Sequence, residues 1–189
     1  LSRAAGTEPL YVTSPGGFRS RFVSEGELAL FEAACCRFSV RLAETLGKMG
    51  IHAVPLYPPA SKGAAAKRKD ALRSVEDGKV RILRGNYSGS IVSFDPVDIH
   101  AVWERGGLPL LPPLAADDSE SGRILNVDGD RLAAAAAAAV GADVLAILSN
   151  VPGLLRDPGD PASKIDEGSL DGWDDLEHFA RGNMKRKLL

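Results

Sequence analysis

Apolar residues recur at three- and four-residue steps through Leu28, Phe31, Cys35, Phe38, Leu42, Leu46 and Met49. That spacing lays one apolar face along a helix. Ser24 is placed to cap it, Glu27 completes a Ser-x-x-Glu capping box, and Gly50 supplies the stop. Elsewhere the apolar runs are short. Residues 51–57 read as a strand ended by Pro58-Pro59. Residues 79–83 and 90–94 flank Asn86-Tyr87-Ser88-Gly89 and predict a β-hairpin. Asp95-Pro96 opens a short helix through Trp103, proline being welcome at the first helical position, and Gly106-Gly107 ends it. Residues 108–111 form a buried strand candidate. Asp128 or Asp130 can cap the next helix, which carries the seven alanines of 133–139. Alanine is the best helix former, and its small side chain lets a helix lie close against a sheet. The continuous apolar run 144–148 fits a strand buried in a parallel sheet. Residues 173–180 read as a last helix, with Trp103 and Trp173 packing helices to the sheet. The polar stretches between read as loops: 9–23, the basic 60–73, the acidic 115–123 and the Pro/Gly/Asp-rich 156–172. Alternating strands and helices predict an α/β sandwich.

Composition narrows the function classes. With 44% apolar residues, 189 residues suffice for a real core in one α/β domain or two small lobes. Lys and Arg number 23 against 25 Asp and Glu, a net charge of −2, so no nucleic-acid footprint is expected. No apolar run approaches the roughly 20 residues of a membrane span. Cys35 and Cys36 are adjacent, which suits neither an ordinary disulfide nor a zinc site. A reducing cytoplasm is the expected location. His52, His100 and His178 have no partner at a metal-ligand spacing, and no metal site is predicted. The chain opens on Leu1 and closes on Lys187-Leu188-Leu189, which reads as a piece of a longer protein, incomplete at both ends.

The chemistry concentrates at Asn126-Val127-Asp128-Gly129-Asp130 and Leu148-Ser149-Asn150-Val151-Pro152-Gly153. Three short polar side chains at alternate positions open a helix, and a strand and a glycine-containing loop follow. An α/β protein builds a phosphate-handling cleft in this way. With Thr13-Ser14-Pro15-Gly16-Gly17-Phe18-Arg19-Ser20-Arg21, Val75 to Val80 together with Asn86-Tyr87-Ser88-Gly89, and Gly182-Asn183-Met184-Lys185-Arg186-Lys187, these stretches resemble the amino-acid kinase family. Within it they are most similar to the acetylglutamate kinase branch that phosphorylates aminoadipate or glutamate carried on the small acidic protein LysW.

The resemblance implies a three-layer αβα sandwich around a mainly parallel sheet. It places an amino-acid-substrate lobe at 1–142 and a nucleotide lobe at 143–189. ATP, with Mg2+ bound through the nucleotide, would phosphorylate a side-chain carboxylate to an acyl phosphate. Lys187 takes the role of the lysine on the nucleotide side, and Asp130 that of the aspartate organising the lysines. Asn126 matches the residue at the substrate's amide and α-carboxylate. Arg21 matches the arginine gripping its free carboxylate, a task suited to a planar fork. Asp128 lines the cleft. Ser149, Asn150, Val151 and Gly153 lie against the nucleotide. The partners implied are an acidic, LysW-like carrier and a second copy of the chain, docked through the helix at 24–50. Lys62, Lys67, Arg68, Lys69 and Arg73 are candidates for docking the carrier by charge.

Each residue also has a plainer role. Asn-x-Asp at a helix start is usually only a cap. An arginine after a Gly-Gly turn is usually solvated, and a Lys-Arg-Lys cluster is usually surface. The chain also departs from the family pattern. It lacks the Lys-x-Gly-Gly strand and second Gly-Gly loop. Leu56-Tyr57-Pro58-Pro59-Ala60-Ser61 replaces a glycine-rich turn, and Ser39-Val40 stands where Asn-Lys is usual. Three other functions compete: acetylglutamate kinase on a free substrate, a non-catalytic subunit retaining the fold, and a dinucleotide-binding protein. The last is disfavoured because no Gly-x-Gly-x-x-Gly follows a strand.

Overall fold

The helix expected after Ser24 runs Glu25–Lys48 (α1) in the computed structural model of the chain. The structure describes residues 9–15, 19–58, 60–76, 79–120, 122–149 and 153–180. Both arms of the capping box are made. The Glu27 N–H donates to Ser24 Oγ at 3.3 Å, and the Ser24 N–H donates to Glu27 Oε2 at 3.0 Å. Gly50, at φ 81°, turns the chain out of the helix, and the Ile51 N–H closes the last turn on the Leu46 carbonyl. The buried stripe holds Leu28, Ala34, Cys35 and Ser39, whereas Phe38 and Met49 are 66% and 70% exposed. The three-and-four spacing therefore locates the apolar face but not its limits. What covers the helix is short strand, β3 (Ala53–Pro55), with β10 (Ile124–Asn126), so apolar residues one step around stay outside.

The chain divides into two compact units, Leu1–Asp143 and Val144–Leu189. The first is built on a four-stranded sheet of order β10-β9-β4-β7. β4 (Ala64–Arg68) runs antiparallel to β7 (Gly89–Phe94) and parallel to β9 (Leu114–Asp117), which pairs antiparallel with β10. Ala64, Ala66, Ala115, Leu125, Val127 and Leu132 form the core, with Ile91, Phe94 and Leu111 packed around it. A parallel pair joins β3 to β8 (Leu108–Leu110), and α2 (Val97–Glu104) packs on β8. Two hairpins complete the unit: β1 (Tyr11–Thr13) with β2 (Arg19–Arg21), and β5 (Leu72–Glu76) with β6 (Lys79–Leu83). Asp128 caps α3 (Gly129–Val140), which packs on β7 and β4, and Gly141 in the left-handed conformation ends it.

Several sequence expectations change here. Residues 79–83 do not pair with 90–94; the first pairs with β5 and the second, as β7, with β4. The stretches 9–23, 60–73 and 115–123, read as loops, each contribute strand. The reason is the same at 64–66 and 115–116. Alanine has little strand propensity, yet the sheet centre is crowded enough to need it. A Cβ on Gly89 would lie 2.9 Å from Ala66 Cβ and 3.0 Å from Leu125 Cδ1. Residues 144–149 form no strand, and Val144 and Leu148 are 80% and 95% exposed. An apolar run becomes a parallel strand only through ladder partners on its flanks, and residues 144–149 belong to none of the described ladders. The α/β architecture stands, but the described ladders are mixed, parallel at β3–β8 and β4–β9 and antiparallel elsewhere.

The second unit is mostly irregular. Leu155 bridges Lys164, and between them Asp160 caps a turn of 3-10 helix at Pro161–Ser163. A second such turn, Leu170–Gly172, leads into α4 (Trp173–Phe179).

Candidate functional site

The site is built on the crosspiece Asn86-Tyr87. The Tyr87 N–H donates to the Val23 carbonyl at 2.8 Å, and the Tyr87 carbonyl accepts from the Asn126 N–H at 3.0 Å. One residue thus ties the segment carrying Arg21 to the strand end carrying Asn126. Ser88 continues the join as a parallel bridge to Asn126. Asn86 is fully buried and locks the same junction with its side chain. Its Oδ1 accepts from the Val23 N–H at 2.9 Å, while its Nδ2 donates to the Lys69 carbonyl at 2.7 Å and to Ser88 Oγ at 2.6 Å. The sequence marked Asn-Tyr-Ser-Gly as a hairpin turn that fits the family pattern. Nothing in its spacing reveals an amide that satisfies three backbone and side-chain groups at once.

Arg21 ends β2, half-buried. Its guanidinium lies 3.5 Å from Glu27 Oε1, both side chains being largely covered. Glu27 Oε2 is at the same time held by Ser24 through its N–H and its hydroxyl. The capping box that starts α1 therefore also tethers Arg21. This is not the solvated arginine that a Gly-Gly turn usually leaves.

Tyr87 is buttressed from behind. The Arg68 guanidinium stands 3.9 Å from its ring centroid and that of Arg123 5.1 Å. Arg68 is fixed by donating Nε–H to the Asn86 carbonyl at 2.9 Å and by pairing with Asp70 at 3.2 Å. Beside them is buried Asp117. Burial alone would raise its pKa, but Ser119 donates both its hydroxyl, at 2.7 Å, and its N–H, at 3.0 Å. With the charges of Arg68 and Arg123, these hold the carboxyl below its ordinary value.

The alternation at Asn126, Asp128 and Asp130 is real in the fold. All three are partly exposed, while Leu125 and Val127, on either side of Asn126, face the core. Asp128 Oδ1 accepts from the N–H groups of Asp130 and Arg131, both at 3.1 Å. Its first role is therefore the helix cap. Two of α3's free first-turn amides are thereby taken up. Asp130 sits in that first turn, half-buried.

The nucleotide-side candidates belong to the second unit. Ser149 is exposed, and Gly153 adopts φ 142°, a conformation open to glycine. Asn150, Val151 and Lys187 lie outside the described residues. The structure thus brings Arg21, Asn126, Asp128 and Asp130 into one unit and leaves the distance from Asp130 to Lys187 undefined. Ser39 and Tyr57, which belong to two of the three departures from the family pattern, meet: the Tyr57 hydroxyl donates to Ser39 Oγ at 3.4 Å. Cys35, beside them on α1, is buried, and burial followed by the Glu32 charge pushes its thiol up to about 11, outside the reactive range.

The profile of the Amino acid kinase family matches residues 3–189. The chain is 42% identical over its whole length to the [LysW]-aminoadipate kinase of Deinococcus radiodurans, of which it covers 64%. It is 36% identical, again over its whole length, to the [LysW]-aminoadipate kinase of Thermus thermophilus, covering 71%. It thus spans about two thirds of the length of these relatives. Among solved structures, N-acetylglutamate synthase from Neisseria gonorrhoeae, complexed with coenzyme A and N-acetyl-glutamate, aligns with a TM-score of 0.71. That alignment is 21% identical, covers 98% of this chain and 38% of that one, and speaks to fold alone. By profile and by sequence relatives, the chain belongs to the amino-acid kinase family.

Proposed function

We propose that this chain is the greater part of an ATP-dependent kinase for the side-chain carboxylate of aminoadipate or glutamate held on an acidic, LysW-like carrier. One observation carries the reading furthest. Arg21, oriented by Glu27, and Asn126 are joined through Tyr87 into a single hydrogen-bonded frame. A planar cation and an amide on one frame are what an amino acid's free carboxylate and amide require. The names of the relatives, kinases of LysW-bound aminoadipate, supply the substrate class.

The chemistry needs no general base, because a carboxylate is already ionised at neutral pH. Its oxygen forms a bond to the γ-phosphorus as the bond to the bridging β–γ oxygen breaks, and ADP leaves with that electron pair. The protein's part is positioning and charge neutralisation. Arg21 and Asn126 hold the acid, Asp130 places the lysines, and Lys187 meets the charge that spreads over the transferring oxygens. Asp128 lines the cleft from its capping position. Ser149, Asn150, Val151 and Gly153 lie along the nucleotide, and Mg2+ arrives on its phosphates. In this reading residues 1–142 are the amino-acid lobe and 143–189 the nucleotide lobe. A second copy docks on α1, whose Leu30, Phe38 and Val40 are exposed. The protein works in the cytoplasm, where ATP and a reduced Cys35-Cys36 pair are to be expected.

The test is ATP-dependent acyl phosphate formation by the full-length protein, trapped as a hydroxamate. Carrier-bound aminoadipate should react and free N-acetylglutamate should not. The reverse preference favours the acetylglutamate reading, and no hydroxamate from any acid favours a non-catalytic subunit. Arg21→Ala should raise KM for the acid roughly tenfold or more, as the loss of a charged hydrogen bond of about 1.5–3 kcal/mol requires. Lys187→Ala should instead lower kcat by about two orders of magnitude, as expected for a group acting in the transition state. If both variants change only KM for ATP, the assignments are wrong.

A further inference from the structure

The β5–β6 hairpin is covered on one face and open on the other. Ser74 is 3% exposed on the covered face, flanked by half-buried Leu72 and Leu83. On the open face Val75 stands opposite Val80, and Arg73 opposite Ile82. Val80 and Ile82 are both 58% exposed. Among the described residues, β6 pairs with β5 and with no other strand. An edge strand of this kind presents backbone donors and acceptors ready for another strand. Its charge is one-sided. Residues 72–84 hold four Lys and Arg against two Asp and Glu in a chain whose net charge is −2. Arg73, Lys79 and Arg84 are exposed at the hairpin.

The hairpin also joins the crosspiece directly. The Asn86 N–H donates to the Asp70 carbonyl, and the Lys69 N–H donates to the Ser88 carbonyl. β1, which pairs with the strand carrying Arg21, packs on β5. Whatever docks on the hairpin is therefore presented beside the frame that holds Arg21 and Asn126.

We infer that the β6 edge docks an extended, acidic segment of the protein that carries the substrate, added as a further strand. This rests on the reading that the substrate arrives attached to a protein. Backbone pairing would supply the direction, Val80 and Ile82 would cover the segment's apolar positions, and the cations would meet its carboxylates. Cations on an exposed edge also discourage pairing between copies of one chain. Such a role calls for charge but for no partner, and the experiment separates the two.

The probe is a short peptide alternating glutamate and valine, titrated calorimetrically against the full-length protein. Controls are the same peptide with alternate amides N-methylated and a Lys/Val peptide. The Glu/Val peptide should bind and weaken with salt, and the Lys/Val peptide should not bind. N-methylation should weaken binding at least tenfold, because a methylated amide cannot donate to β6. The triple reversal Arg73→Glu, Lys79→Glu, Arg84→Glu should abolish it. The same variant should raise KM for the carrier-bound acid at least tenfold and leave kcat at saturating carrier within twofold. Equal affinity of the methylated peptide overturns strand addition. Unchanged affinity after charge reversal overturns the surface. Wild-type self-association that Val80→Arg disperses assigns the edge to a second copy and overturns the proposal. Absence of hydroxamate in the wild type overturns the kinase reading while the peptide titration still decides the docking surface.

Discussion

At the scale of single residues, the side chains that hold the site together are not those that would touch substrate. Asn86 has no charge and no exposure, yet it satisfies Val23, Lys69 and Ser88 together. Asn86→Ala should cost about 1–3 kcal/mol, because it leaves the buried Val23 N–H without its acceptor. Denaturant unfolding reads this, and a loss under about 0.5 kcal/mol, the size of an ordinary surface change, would contradict the geometry. Asp117 predicts a pH dependence. Its folded-state pKa lies below the unfolded value, so the stability it contributes is present above about pH 4 and is lost as the pH falls through the folded value. The stability gap between the wild type and Asp117→Asn should shrink as the pH is lowered from about 5 to below 4. A gap constant over that range, or one that widens, would show that Arg68, Arg123 and Ser119 do not favour the ionised form. Little of this was legible in the sequence. Arg68 and Arg123 are far apart along the chain, and only the folded sheet brings their guanidinium groups against Tyr87.

At the scale of elements, capping and chemistry share residues. Ser24 and Glu27 start α1, and the same Glu27 holds Arg21. Asp128 starts α3 and sits between the two site candidates Asn126 and Asp130. A carboxylate used as a cap can be replaced by an amide with little loss, whereas alanine leaves the first-turn amides unmet. Asp128→Asn should therefore keep stability within about 0.5 kcal/mol, and Asp128→Ala should lose about 1 kcal/mol. If turnover also survives in Asp128→Asn, its charge plays no part in the chemistry; a large drop in kcat at unchanged stability would place that charge at the reacting group. The helices were legible because their signals are local: caps, stops and the three-and-four spacing. Of the strands, those at 53–55, 79–83, 89–94 and 108–110 were legible as apolar runs, but their pairing and the alanine-rich strands were not. β4 and β9 carry alanines where the sheet is tightest, and β6 pairs with a neighbour of similar propensity to the one expected. Pairing is a choice among distant segments, and propensity does not rank them.

At the scale of the molecule, α1 leaves apolar surface uncovered. Phe38 is 66% exposed and Met49 70%, with Leu30 and Val40 also open. If a second copy covers this helix, Phe38→Glu should turn a dimer into a monomer by analytical ultracentrifugation while moving the unfolding midpoint of the monomer little. A dimer that survives the change would put the contact elsewhere, and a monomeric wild type would remove it.

The sequence by itself determined the α/β class, the helices with their caps, the family and the candidate residues. These rest on local spacing and on short motifs whose order survives without knowledge of the fold. Only the tertiary structure decided that Asn86-Tyr87 is a crosspiece rather than a turn, that Glu27 serves both Arg21 and α1, and that β5 rather than β7 pairs with β6. Each of these is a hydrogen bond or ladder between groups distant in sequence. Such contacts exist only once the loops between them have been closed, a long-range entropic and packing choice that no local pattern records.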